Sequence, residues 1–107
     1  MNKYELECEK MKMEFPNAKF TIAIPYDEID EIITNEPEII LRYKYNCYCY
    51  ENKKKKMQKF IVKGENITNR LCINKLIEKG FNPNCNHHFL EGFNENSDYE
   101  FEIFTGS

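Results

Sequence analysis

Twelve consecutive residues, 39–50, alternate with a period of two. Ile39, Leu41, Tyr43, Tyr45, Cys47 and Cys49 fall on one side, and Ile40, Arg42, Lys44, Asn46, Tyr48 and Tyr50 on the other. Successive side chains of a strand point to opposite faces, so the run reads as a β-strand whose first set is core and whose second faces solvent. Its β-branched and aromatic content suits a pleated surface. Residues 57–63 supply a hairpin partner through the connection 51–56. A chain of 107 residues has room for one core, so the expectation is a single domain over 1–107 packed on this hairpin.

The flanking segments predict further strands and two helices. Residues 4–15 read as a strand, with Tyr4, Leu6 and Cys8 in one phase and Met11, Met13 and Phe15 in the other, and a bulge near Glu9 and Lys10. Phe20, Ile22 and Ile24 make a second strand that Pro25 stops. Residues 27–34 read as a short helix, because Ile29, Ile32 and Ile33 fall at i, i+3 and i+4 behind an acidic first turn. Residues 68–79 read as the main helix, capped by Thr68 and closed by a left-handed Gly80, with Phe81 packing back. Residues 89–93 and 99–104 complete a final hairpin across the polar turn 94–98. The predicted order is β-β-α-β-β-α-β-β. It implies an α+β fold, a two-layer sandwich of a mostly antiparallel sheet with two helices.

Charge is distributed unevenly along this frame. Residues 42–63 hold eight basic residues and one acidic residue, a net +7, while the rest of the chain holds seven basic and 17 acidic residues, a net −10. The overall −3 hides that asymmetry. Arg42, Lys44, Tyr48 and Tyr50 share the polar face of the long strand, and Lys53, Lys54, Lys55 and Lys56 crowd the connection. These eight residues are the predicted partner-binding set: hydrogen-bonding charge from Arg42 and Lys44, contact area from the tyrosines, and steering from the lysine run. Cations with aromatic faces also suit single-stranded nucleic acid. The acidic remainder opposes a polyanion wherever it faces one. A lysine run at a hairpin tip also discourages edge pairing without binding anything.

The cysteines and histidines give a weaker signal. Cys85, His87 and His88 share a loop, and Cys47 and Cys49 offer two more thiols. Side chains two apart on a straight strand lie about 6.5–7 Å apart. Two sulfurs on one zinc lie about 3.8 Å apart, so Cys47 and Cys49 do not chelate together on such a strand. No metal or other cofactor is assigned. Cys85 and His87 lack a third orienting group. The four glycines, Gly64, Gly80, Gly92 and Gly106, are too scattered for a phosphate loop. The expectation is a protein without catalytic activity. Five cysteines, an odd number with no disulfide framework, and a polar start without an apolar leader predict a cytoplasmic location away from any membrane.

One stretch carries a resemblance. Ile67 and Thr68, the helix through Gly80 and Phe81, the loop Asn82-Pro83-Asn84-Cys85-Asn86-His87-His88, Phe89 to Phe93, and the ending Phe101-Glu102-Ile103-Phe104-Thr105-Gly106-Ser107 resemble small uncharacterised proteins of the large nucleocytoplasmic DNA viruses, the mimivirus-like group. Asn, Ile, Lys, Tyr and Phe supply 53 of the 107 residues, the usage of an AT-rich genome, which agrees with that group. The resemblance implies a viral protein made in the host-cell cytoplasm and transfers no activity. The sequence therefore reads as an intracellular binding module that engages a host or viral protein through its basic, aromatic hairpin. A single-strand nucleic-acid binder using the same face is the alternative, and a homo-oligomeric structural or virion component is a third reading.

Overall fold

The computed structural model describes residues 2–44, 57–83 and 88–106. Helix α1 spans Lys3–Glu14, strand β1 Thr21–Ile22, β2 Ile32–Thr34, β3 Glu38–Tyr43, β4 Gln58–Lys63 and β5 Ile67–Thr68. Helix α2 spans Asn69–Glu78, β6 Phe89–Ser97 and β7 Glu100–Gly106. A 3-10 turn covers Tyr26–Glu28. The architecture is α+β. One five-stranded sheet has the order β1-β6-β7-β3-β4, and β2 and β5 form a separate antiparallel pair.

The predicted element order and mostly antiparallel sheet do not match this topology. β3/β4 and β6/β7 pair antiparallel as hairpin logic requires, but β1/β6 and β3/β7 pair parallel, so the main sheet is mixed. The N-terminal segment is a helix, not a bulged strand. Residues 3–15 contain no β-branched residue, Glu and Lys fill the helix, and the Asn2 side chain caps it by accepting the Glu5 N–H at 2.8 Å. Cys8, Met11 and Phe15 recur with helical spacing, and Met11 and Phe15 are buried while Leu6 and Met13 face out. The predicted helix at 27–34 reduces to the 3-10 turn followed by β2. Three consecutive β-branched residues, Ile32, Ile33 and Thr34, favour extension, and β5 provides the partner.

The elements around α2 follow their local signals. The Thr68 hydroxyl accepts the Leu71 N–H at 3.1 Å. Gly80 has φ 71°, and its N–H reaches the Ile77 carbonyl while that of Phe81 reaches the Leu76 carbonyl, a Schellman ending. Helix α2 buries Cys72, Ile73 and Leu76 in one cluster with Ile39, Leu41, Val62, Phe101 and Ile103. Phe81 is the aromatic hub, edge-on to Phe20, Tyr43 and Phe60 at centroid distances of 5.5, 4.9 and 5.7 Å. The expected alternation holds at 39–43: Ile39, Leu41 and Tyr43 are buried, Ile40 and Arg42 are half-buried on the outer face, and Lys44 is exposed. Its continuation over 45–50 lies outside the described residues.

Candidate functional site

The hairpin register determines what β4 offers to solvent. β3 and β4 pair directly at Glu38/Lys63, Ile39/Val62, Ile40/Ile61, Leu41/Phe60, Arg42/Lys59 and Tyr43/Gln58. One step beyond, the Gly64 N–H donates to the Pro37 carbonyl at 3.0 Å. Antiparallel ladders alternate, so the N–H and C=O groups of Val62 and Phe60 also point toward β3, and those of Lys59, Ile61 and Lys63 point away from it. On β3 the Ile40 N–H donates outward to the Tyr99 carbonyl at 2.8 Å, which is the same alternation seen from the other side. Among the described residues no strand pairs with the far edge of β4. That edge therefore presents the backbone groups of three residues whose side chains, Lys59, Ile61 and Lys63, are also exposed.

Helix α2 completes the surroundings of this edge. An open groove of about 900 Å³ runs beside it, lined by Lys59, Ile61 and Lys63 from β4, by Lys75 from α2, by Lys79 at its C-cap, and by Phe81. Lys75 and Lys79 are one helical turn apart, so they lie on one side of α2. Lys63 pairs with Glu38 at 3.4 Å and Lys75 with Glu78 at 3.2 Å, both on partly or largely exposed side chains where such pairs are readily exchanged. Among the described residues Lys59 and Lys79 have no ion-pair partner. The groove is thus bordered by cations, with an apolar floor at Phe81, and Ile61 on its β4 wall is 55% exposed.

Of the predicted binding set, Arg42 and Lys44 fall among the described residues. Arg42 does lie on the outer face of β3, but its Nη1 is 2.9 Å from Glu100 Oε1, and its Nε and Nη2 donate to Met57 Sδ at 3.1 and 2.8 Å. The parallel β3/β7 register sets Glu100 opposite Ile40 and Glu102 opposite Arg42, so an acidic row on β7 runs beside this strand. Arg42 thus bridges β3 to Glu100 and to Met57 in this structure. Lys44 is exposed just beyond β3. Tyr48, Tyr50 and Lys53 to Lys56 lie outside the described residues. Lys59 and Lys63 belong to the charge asymmetry but not to the predicted binding set; their alternation with the buried Phe60 and Val62 is the signal that marks them as outward. Lys75 and Lys79 were missed, because only the packing of α2 brings them beside β4.

Other chemistry-bearing groups are engaged elsewhere. His88 Nδ1 is 3.3 Å from Thr21 Oγ1, and its ring stacks on Phe89 at 4.4 Å. Cys47, Cys49, Cys85 and His87 lie outside the described residues, and among those described no group of His, Cys, Asp or Glu side chains is arranged to hold a metal ion. Burial pushes the Cys72 thiol up to about 12, so it is a packing group and not a nucleophile. No helix among the described residues is long and apolar enough to cross a membrane. Comparison with protein-family models, curated proteins and solved structures finds no match.

Proposed function

We propose that this chain is a non-catalytic binding module that engages an acidic surface of a partner protein through its basic hairpin. The observation that carries the reading is the β4 edge, where Lys59 and Lys63 flank an exposed Ile61 beside Lys75 and Lys79. Desolvated apolar contact at the centre with charge around it is a favourable layout for protein recognition. In the sequence, Lys44, Tyr48, Tyr50 and Lys53 to Lys56 lie between β3 and β4. On the resemblance carried by residues 67–93 and 101–107, the partner is a host or viral protein met in the cytoplasm of an infected cell.

The test is titration of the purified protein with a fluorescent glutamate homopolymer and, separately, with a single-stranded thymidine 20-mer at low salt. The reading expects the glutamate polymer to bind, to weaken as salt is added, and to weaken further when Lys53 to Lys56 are changed to Ser. It expects no shift with the oligonucleotide. Tighter binding of the oligonucleotide would replace this reading with the single-strand nucleic-acid alternative.

A further inference from the structure

We infer that the partner segment is an extended acidic strand that adds antiparallel to the free edge of β4, with an acidic–x–apolar–x–acidic pattern. This rests on the hairpin being a partner-binding surface and specifies how that surface is read. Strand addition requires backbone donors and acceptors aimed outward, and the register leaves those of Lys59, Ile61 and Lys63 in that state. An incoming strand would lie about 4.8 Å from β4, over the groove beside the C-terminal end of α2.

The side chains on β4 determine what such a strand contains. Residues directly opposite one another share a face, so the incoming residues opposite Lys59, Ile61 and Lys63 point to the outer face with them. Lys59 and Lys63 favour carboxylates and Ile61 favours an apolar neighbour. The alternate incoming residues turn toward the groove, where Phe81 forms the floor and Lys75 and Lys79 add positive charge. The same logic disfavours a second copy of this chain. Antiparallel pairing of β4 with itself about Ile61 would set Lys59 opposite Lys63 twice, and like charges directly opposite destabilise a pair.

The experiment uses the full chain and a labelled, end-blocked heptapeptide, Thr-Glu-Thr-Ile-Thr-Glu-Thr, read by fluorescence anisotropy. Two further peptides of equal charge carry one N-methyl group each, one on Ile and one on an adjacent central Thr. In the antiparallel arrangement the Ile N–H faces β4 and the Thr N–H faces solvent. The parent and the Thr-methylated peptide are expected to bind alike, and the Ile-methylated one about tenfold more weakly. In a protein carrying Lys59→Glu and Lys63→Glu, both at exposed positions, preference should switch to the counterpart peptide with Lys in place of Glu.

The failures separate cleanly. Equal binding of all three peptides, with loss on charge reversal, overturns strand addition and leaves the acidic-partner reading standing. Loss only from Thr methylation overturns the antiparallel arrangement. If neither the heptapeptide nor the glutamate polymer binds, or if the charge reversal changes nothing, both readings fall. Circular dichroism of the variant protein confirms that its fold is retained, so a lost interaction is not read from an unfolded chain.

Discussion

Two cationic regions of this molecule use positive charge in opposite ways. At Arg70 the guanidinium meets carboxylates from two other segments. It grips Asp30 through both oxygens at 2.6 and 3.2 Å, reaches Glu14 at 3.3 Å and lies 5.7 Å from the centre of the Phe15 ring. Tyr26 closes the cluster by donating to the other Glu14 oxygen at 3.1 Å. Beside it, the first N–H groups of α2 are consumed by the chain before β2: Asn69 and Arg70 donate to the carbonyls of Glu31 and Ile29. Together these bonds tie α1, residues 26–31 and the start of α2 to one another. Along β4 the lysines face outward, on flexible stems, beside backbone groups aimed at solvent. Where carboxylates converge from separate elements, a cation is structural. Along the β4 edge, which no described strand pairs, the cations are left for the recognition proposed above.

The strongest test of this contrast concerns Phe81, which is both the floor of the groove and the hub of the core. Phe81→Ala is expected to cost about 3–5 kcal/mol, because three edge-on aromatic contacts are lost and a cavity remains. Urea denaturation reads this directly. A cost near that of a surface substitution would show that the groove floor is not continuous with the core, and the two regions would then be energetically separate. Next in size is removal of the charges themselves. Arg70→Ala should destabilise by about 1–2 kcal/mol, with its partial exposure tempering the value of bidentate pairing. Lys59→Ala with Lys63→Ala should change stability by no more than about 0.5 kcal/mol. Comparable losses from the two would erase the distinction.

How much of this was visible in the sequence depends on the range of the interactions involved. The hairpin was legible because one uninterrupted period of two carries it, and α2 was legible because its cap and its Gly80 ending are local. Helix α1 was misread because Tyr4, Leu6 and Cys8 also fit a strand phase. The missing β-branched residues and the Asn2 cap held the correct signal. Residues 32–34 were misread because Ile29, Ile32 and Ile33 satisfy a helical spacing that pairing with β5 overrides. The charge asymmetry points to the β3–β4 hairpin, but not to the edge of β4 on which the proposed reading rests. That Glu100 neutralises Arg42 follows from a parallel pairing between strands nearly 60 residues apart, and that Lys75 and Lys79 flank β4 follows from how α2 packs. Neither is written in any local pattern.

Acid sharpens the comparison with a smaller effect. The Arg70 guanidinium holds the Asp30 carboxyl below the usual carboxylate range, chiefly through their hydrogen bond. A carboxyl whose folded value is depressed binds its proton more weakly in the folded than in the unfolded state. Its contribution to stability is therefore complete above the unfolded value near 3.8 and is lost as pH falls through the lower folded value. Urea midpoints measured from pH 7 down to pH 2 should fall in that acidic window. In Asp30→Asn part of that fall should disappear, while the Lys59 and Lys63 variants should keep the profile of the unmodified protein. An unchanged acid profile in Asp30→Asn would remove Asp30 from the cluster's stabilising groups.

A modest effect decides on which side of the contrast Arg42 belongs. It stands between the two kinds of region, directly across from Lys59 on β4 and beside the acidic row of β7. Its side chain and that of Glu100 are about one-quarter exposed, so their 2.9 Å pair is screened less than a fully solvated one and more than a buried one. As a strand-to-strand bridge, Arg42 should couple to Glu100 by about 0.5–1 kcal/mol in a double-mutant cycle of Arg42→Ala and Glu100→Ala. Arg42→Ala should then leave affinity for the acidic heptapeptide within about twofold of the unmodified protein, since the pairing edge of β4 lies one strand away. Near-zero coupling together with a marked loss of peptide affinity would return Arg42 to the docking set that its place in the sequence suggested. The working surface would then extend from the edge of β4 across the outer face of the sheet.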